Sequence, residues 1–400
     1  MSEPLRPGVL MITGAYFPEL SGGGLQCKAT IEALRGDLRF AVLTTSTDAS
    51  LPAADEVDGT PVFRIHVNVR SRWSKMMAAW RFARLFAGLA PSIDIVHLHG
   101  FSQKSTLTVL LARLFAKRVV ITLHTAGQDE PDGVRAQGGL GWLAYRQADL
   151  FITVSEPLAA SLQRAGIAAN RICRGSNGLD TDRFRPPVDG EREALRASLA
   201  LPANATIILF VGFFSRDKGP QILFEAWRRI ARDAGADSSL VYVGATDSQY
   251  YEVDPTLARG IRDTIERDGL TNRVAFVEET RIIEQYFRTA DLFVFPTRRE
   301  AFGMALVEAM ASGLPCIASR LPGVTDAIVD DGETGVLVEP HDVDGLTVAM
   351  ERLLTDRALA ARLGASARRA AVSRFSIRQT AAITLDAYRR LLPAATGMAA

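Results

Sequence analysis

The sequence predicts two α/β domains, each built on a doubly wound parallel sheet. Three observations carry that reading. Short runs rich in Val, Ile, Leu and Phe alternate with helix-length patterns, as βαβ units do. Most of those runs are continuously apolar rather than alternating, as strands covered on both faces require. The pattern also restarts at Thr206, after Arg183-Phe-Arg-Pro-Pro-Val-Asp-Gly190, a plausible linker. A chain of 400 residues has room for two domains of ordinary size.

In chain order, the first half places strands at Val9–Thr13, Phe40–Thr44, Val62–Val67, Ile93–Leu98, Arg118–Leu123 and Leu150–Val154. The second half places them at Thr206–Val211, Ser239–Val243, Arg273–Val277, Leu292–Phe295 and Pro315–Ala318. The domains are expected to be 1–190 and 191–375. In open α/β sheets ligands bind beyond the carboxyl ends of the strands. Gly14, His99, His124, Ser155, Gly212, Gly244 and Thr297 follow the proposed strands at or near that edge. If the two edges face each other, the site is a cleft between the domains.

Composition narrows the function. Hydrophobic residues make up 48% and charged residues 23%, which excludes disorder, collagen and coiled coil as the main architecture. A net charge of +1 gives no support to nucleic-acid binding. Cys27, Cys173 and Cys316, odd in number and far apart, make neither a disulfide framework nor a zinc ribbon. The opening MSEPLRPG lacks the apolar stretch of a signal peptide, and the longest apolar stretch, Ala205 to Phe214, is about half the ~20 residues of a membrane span. A cytoplasmic protein is expected, at most attached to a membrane surface.

The richest chemical segment runs from Pro296 to Gly313. A helix pattern spans about Phe302 to Ser312, and N–H groups near Gly303, Met304 and Ala305 would form an anion site at its start. Glu300 precedes the helix, and six residues at 1.5 Å rise put Glu308 about 9 Å along from Phe302. The two carboxylates could reach opposite ends of one extended ligand. Alternatively, Glu300 caps the helix and Glu308 is solvated. In Phe210-Val-Gly-Phe-Phe-Ser-Arg-Asp-Lys-Gly219, Arg216 and Lys218 flank a strand-to-helix turn where cations could neutralise a diphosphate, unless they are ordinary turn residues. Gly22, Gly23 and Gly24 lie between the first strand and first helix, as a phosphate loop or merely a flexible one, without the G-x-G-x-x-G spacing.

His97 and His99 alternate on one strand with Asp94 nearby, so a metal site is conceivable, but packing is the commoner role. His124, at a strand end, is the better functional candidate. Asp180-Thr-Asp182 follows Asn177-Gly178 and reads as a turn rather than a metal site. Within 70–118, nine Lys or Arg stand against one acid, Asp94. In that region Arg70 to Arg84 reads as a helix with Trp73, Met76, Trp80 and Ala83 on one face. This face either lies on an anionic membrane, giving a peripheral contact through 70–90, or packs on the sheet.

Together these segments resemble the retaining nucleotide-sugar glycosyltransferases of glycosyltransferase family 4, which have the two-domain GT-B fold. The resemblance rests on Gly22-Gly23-Gly24, Asp94-Ile-Val-His-Leu-His-Gly100, Ile121-Thr-Leu-His124, Phe151-Ile-Thr-Val-Ser155 and Asn177-Gly-Leu-Asp180. Its most specific part is the pair Glu300 and Glu308, followed by Ala-Met-Ala-Ser-Gly-Leu-Pro315 and Asp331-Gly-Glu-Thr-Gly335. It implies catalytic roles for His124, Lys218 and Glu300. Donor-binding roles fall to Gly22, Gly23, Gly24, Arg216, Lys218, Phe302, Gly303, Met304, Ala305 and Glu308. Glu308 would hold the donor ribose, Glu300 would lie near the transferred sugar, and Lys218 with the helix start would stabilise the departing diphosphate. Phe213 stands where the family commonly has an arginine, Thr325-Asp326 replaces a frequent Pro-Glu, and Glu278 replaces a glycine near the base pocket. Arg216 would then substitute for the arginine. The pattern Ile377 to Leu392 resembles the family's final helix, which returns to the first domain and completes it with 376–392.

The expected activity is retaining transfer from a UDP- or GDP-sugar to a glycan or lipid-linked acceptor, in cell-surface polysaccharide or glycolipid synthesis. No metal or cofactor is expected. The alternatives are a nucleotide-sugar-binding protein without transferase activity and a dinucleotide-dependent oxidoreductase.

Overall fold

The computed structural model describes residues 6–19, 21–232, 237–247, 252–278 and 280–392. The opening residues 1–5 and Leu20 of the glycine-rich segment lie outside them. Two compact units divide the chain, one of Met1–Gly178 with Ile377–Ala400 and the other of Leu179–Ser376. The division falls at 178/179, twelve residues before the expected boundary at 190. Segment 183–190 belongs to the second unit because it is anchored there. Phe184 packs edge-on against Phe287, and Arg183 and Arg185 pair with Glu284 and Glu191, both at 2.8 Å.

In the first unit the order is β1 (Gly8–Thr13), α1 (Gly22–Leu34), β2 (Arg39–Ser46), β3 (Ala54–Val57), β4 (Thr60–His66), α2 (Arg72–Leu89), β5 (Ile95–His99) and α3 (Gln103–Leu114). There follow β6 (Arg118–Leu123), α4 (Pro131–Ala136), α5 (Gly139–Tyr145), β7 (Leu150–Thr153), α6 (Glu156–Arg164) and β8 (Ile172–Arg174). The sheet order is β3-β4-β2-β1-β5-β6-β7-β8, parallel except for β3 against β4.

The second unit begins with α7 (Glu191–Ser198), β9 (Thr206–Val211), α8 (Pro220–Ala231), β10 (Ser238–Val243), α9 (Pro255–Arg267), β11 (Val274–Val277) and α10 (Ile283–Thr289). It continues with β12 (Leu292–Phe295), α11 (Met304–Ala311), β13 (Cys316–Ser319), β14 (Val336–Val338), α12 (Val343–Thr355) and α13 (Arg357–Phe375). Its sheet is parallel throughout, in the order β11-β10-β9-β12-β13-β14. Every residue of β7, β10, β12 and β13 is buried, which is why these strands read as unbroken apolar runs. The last helix, α14 (Ile377–Arg389), rejoins the first unit, packs beside α1 and sends Tyr388 fully into its core.

Three acids anchor the amino-terminal edges of the sheets. Asp94, just ahead of β5, accepts from Gly8 N–H of β1 at 2.8 Å. Asp149, ahead of β7, accepts from Val119 N–H of β6 at 2.7 Å. Asp291, ahead of β12, does the same for Ile207 of β9 at 2.7 Å. Each carboxylate satisfies a backbone donor at the start of a neighbouring strand, where the ladder has not yet supplied a partner. Asp94 therefore serves the edge opposite to His99, which corrects its suggested membership of a metal site.

Asp291 also binds Arg196, whose buried guanidinium lies 2.7 Å away and bonds the carbonyls of Thr289, Ala203 and Ala205. Removing one partner of such a pair strands the other charge. Asp291→Ala is expected to cost about 3 kcal/mol or more. At ~2–4 °C per kcal/mol for a unit of this size, the midpoint should fall by roughly 10 °C in scanning calorimetry. A cost below about 1 kcal/mol would contradict the anchoring role.

Candidate active site

β9 and β12 are neighbours in the second sheet, so the loops leaving their carboxyl ends emerge side by side. The backbone stitches those loops together. Asp217 C=O accepts from Arg298 N–H at 2.8 Å and from the Thr297 hydroxyl at 2.9 Å, while its carboxylate binds Arg298 Nε at 2.6 Å. That lock brings Lys218 Nζ to 2.6 Å from Glu300 Oε2, two groups 82 positions apart in sequence. Both side chains are about four-fifths buried, at 19% and 17% exposed. The ammonium also sits 5.5 Å from the centre of the Phe213 ring, a cation–π contact. Phe213 thus touches Lys218 from the position where an arginine was anticipated. Arg216 is exposed and turns to Asp254 at 3.5 Å.

Glu300 does not cap α11; its second oxygen accepts from Ala301 N–H at 3.0 Å. The cap position belongs to Gly303, at φ +111°, where a Cβ would meet the Phe295 ring at 3.5 Å and strain the backbone. Among the described residues no side-chain oxygen caps this helix at Gly303. Such a start, at Gly303, Met304 and Ala305, is chemically suited to an anion. Phe302 buries its ring against Phe375, so as a side chain it serves the core rather than a ligand.

Because α11 begins at Met304 rather than Phe302, Glu308 lies about 6 Å along it, on the second turn. It is not solvated, as one reading of the spacing had it, but half-buried. Among the described residues its carboxyl has no hydrogen-bond partner. Burial pushes its pKa up to about 7, with Arg183 pulling down and Glu284 pushing up. Glu278 accepts from the N–H of Thr246 at 2.9 Å and from its hydroxyl, tying the ends of β10 and β11.

In the first unit, three histidines gather at the carboxyl ends of β5 and β6. His97 is fixed on both sides, Nδ1 to Tyr388 Oη at 2.6 Å and Nε2 to Thr122 Oγ1 at 2.7 Å. It is a packing residue, as its strand position suggested. His99 Nδ1 lies 3.0 Å from His124 Nε2 with the rings nearly coplanar, and Asn177 lines the same pocket. Burial lowers all three pKa values, His97 to about 3, His124 to about 4 and His99 well below its ordinary value. The imidazoles are therefore neutral at pH 7, each with one N–H to donate and one ring nitrogen to accept. His99 Nε2 is buried without a partner among the described residues, beside a cavity of about 20 Å³ lined by His97, His124, Gln26, Thr30 and Asn177. That is room for one water molecule.

Gly22, Gly23 and Gly24 are not a loop but the first turn of α1. Ser21 caps it by accepting from Gly24 N–H at 3.0 Å. Gly24 runs so close to Ala15 that a Cβ would lie 2.5 Å from that carbonyl oxygen. Gly23 faces His99, which brings the start of α1 to the histidine cluster.

Two contributors escaped the motif reading. Asp129 is buried and accepts from the N–H groups of Phe101, His124 and Thr125, each at 2.8 Å, which fixes the loops after β5 and β6. Gln26 exchanges two 3.0 Å bonds with the backbone of Gly178. An acid five residues past a strand-end histidine is the signal that could have found Asp129. Asp180 accepts from the N–H groups of Asp182 and Arg183, confirming the turn. Among the described residues, no three His, Cys, Asp or Glu side chains gather as a metal site.

Comparison with known proteins agrees with this geometry. Residues 191–370 match the family model for glycosyl transferases group 1, and residues 21–178 match that for a glycosyl transferase 4-like domain. The D-inositol 3-phosphate glycosyltransferase of Xylanimonas cellulosilytica is 32% identical over 74% of this chain and 71% of that protein. The D-inositol 3-phosphate glycosyltransferase 2 of Catenulispora acidiphila is 35% identical over 74% and 70%. Anabaena HepE, solved with UDP and glucose, superposes with a TM-score of 0.77 at 21% identity over 96% of this chain and 100% of HepE. Sucrose-phosphate synthase from Thermosynechococcus elongatus gives 0.77 at 24% identity over 96% and 99%. With its two parallel α/β units and its glutamates in place, the chain belongs to glycosyltransferase family 4, the group 1 glycosyltransferases of GT-B fold.

Proposed function

We propose that the protein transfers a sugar from a UDP- or GDP-sugar to a hydroxyl of a glycan or lipid-linked acceptor, with retention and without a metal. The observation that carries this is the Lys218–Glu300 pair, 2.6 Å long and set just ahead of the start of α11. Breaking the glycosidic bond of a nucleotide sugar places negative charge on the leaving diphosphate. A fixed ammonium and backbone N–H groups aimed there are the electrostatic catalyst that step needs. Glu300 holds the ammonium in place beforehand, so little reorganisation remains when the charge develops.

The other groups follow from their chemistry. Glu308, a carboxyl with no hydrogen-bond partner among the described residues, is suited to accept from the ribose hydroxyls. His124 is neutral with its Nε2 engaged by His99 Nδ1, so the donor contact we propose for it adds no charge. For retention the departing phosphate accepts the acceptor's proton on the face it leaves. The relatives named for inositol 3-phosphate make that compound the first acceptor to try. Three free, buried cysteines suit a reducing compartment, the cytoplasm. Product release from nucleotide sugars, with inositol 3-phosphate, glycan and lipid-linked acceptors assayed in parallel, tests the reading. Binding of the donor without transfer or hydrolysis would favour the binding protein instead.

Two variants sharpen it. Lys218→Ala should lower kcat by ~100-fold or more, as loss of one oxyanion donor does. Near-normal turnover would refute its role at the leaving group.

Glu308 gives a pH signature. Its free carboxyl gains a proton below about pH 7, and only the ionised form accepts at both oxygens. Nucleotide-sugar affinity should therefore rise from pH 6 to pH 8, a range in which the donor's own diphosphate keeps its charge. Glu308→Gln should bind more weakly and flatten that rise in calorimetric titrations. A wild-type affinity independent of pH, or a variant that follows the wild type, would count against the ribose role.

A further inference from the structure

Helix α2 has two apolar faces, and the fold uses one. Ala78, Phe82 and Phe86 are buried against the first unit. At 100° per residue, Trp73, Met76 and Trp80 lie within about 60° of one another and roughly 150° from the centre of that buried face. They stand out in solvent, 67%, 55% and 55% exposed. The sheet-packing alternative for this face is thereby overturned: the helix packs through its phenylalanines, and its tryptophans point away.

Charge frames the outward stripe. Arg72 flanks it on one side, Arg81 and Arg84 on the other, and the Arg84 guanidinium lies 5.7 Å from the Trp80 ring centre. Among the described residues none of Arg70, Arg72, Lys75, Arg81 and Arg84 pairs with a carboxylate. The neighbouring helices extend the same character. α3 packs beside α2 and exposes Leu110 and Leu114; α5 packs beside α3 and exposes Leu140 and Leu143. These three helices contain no Asp or Glu. Among the described residues of the first unit, every exposed large apolar side chain except Leu25 belongs to this layer or, as Val69 does, adjoins it.

A contiguous exposed apolar patch on a soluble domain marks an interaction surface. Its composition selects the partner. Tryptophan has an apolar ring with a polar N–H and settles at the boundary between acyl chains and headgroups. Unpaired arginines beside it match lipid phosphates, and the absence of acids removes repulsion from an anionic surface. We infer that the α2–α3–α5 layer docks the protein on the surface of an anionic lipid bilayer, with Trp73, Met76 and Trp80 entering the interface and the flanking arginines on the headgroups. The inference is independent of how the donor is held.

The test is co-sedimentation of the full chain with phosphatidylcholine vesicles, with and without 30% phosphatidylglycerol, together with tryptophan emission. Binding should require the anionic lipid, weaken with added salt and shift the emission to the blue. Trp73→Gln with Trp80→Gln, and separately Arg81→Glu with Arg84→Glu, should each weaken it at least tenfold while nucleotide-sugar affinity stays unchanged. Equal binding to both vesicle types, no binding, or binding indifferent to the tryptophan changes would overturn the inference. So would sedimentation velocity showing self-association that the tryptophan changes abolish, which would assign the face to a second copy.

Discussion

Parallel strand pairing is the constraint on which the rest depends. A parallel sheet collects the carboxyl ends of its strands along one edge, and most side chains given a chemical role stand at or just past such an edge. His99 ends β5 and His124 follows β6; Lys218 follows β9 and Glu300 follows β12. The opposite edge is reserved for structure. There Asp94, Asp149 and Asp291 supply acceptors to strand starts.

At the reactive edges the two units handle charge in opposite ways. The second unit keeps charge and pairs it: Lys218 is held by Glu300, and the pair is buried enough to act at reduced dielectric. The first unit suppresses charge. Burial leaves His97, His99 and His124 neutral, with His97 held by Tyr388 and Thr122 and His99 bonded to His124. Their depressed pKa values also tie stability to pH. The unfolded chain takes up protons on these rings below about pH 6.5 while the folded chain does not until near pH 4, so stability is lost as pH falls through that window.

Much of this was legible in the sequence, and the omissions have a common physical cause. The interior strands announced themselves because burial on both faces demands unbroken apolar runs. The strands that escaped, β3, β8 and β14, are all edge strands of three or four residues. With one neighbour each, they need no such run, and Ala-Asp-Glu-Val in β3 carries none. Among candidate site residues, Glu300 and Glu308 stood out because their spacing belongs to one chain segment, and Lys218 because it sits in a strand-to-helix turn of another. Asp129 and Gln26 were not, because their partners are backbone groups brought near only by the fold. The tryptophans of α2 show the converse. Their spacing fitted core packing equally well, and only their exposure decides between the two.

The claim that most of the site depends on is a diphosphate cradle in the second unit that works without a metal. Thermal unfolding of the full chain with UDP, GDP, ADP, TDP or NAD, each with and without EDTA, tests it most directly. A ligand at 100 times its dissociation constant stabilises by ~2.7 kcal/mol. The account predicts stabilisation by UDP or GDP that EDTA leaves unchanged. Stabilisation by NAD alone, stabilisation abolished by EDTA, or none from any nucleoside diphosphate would contradict it.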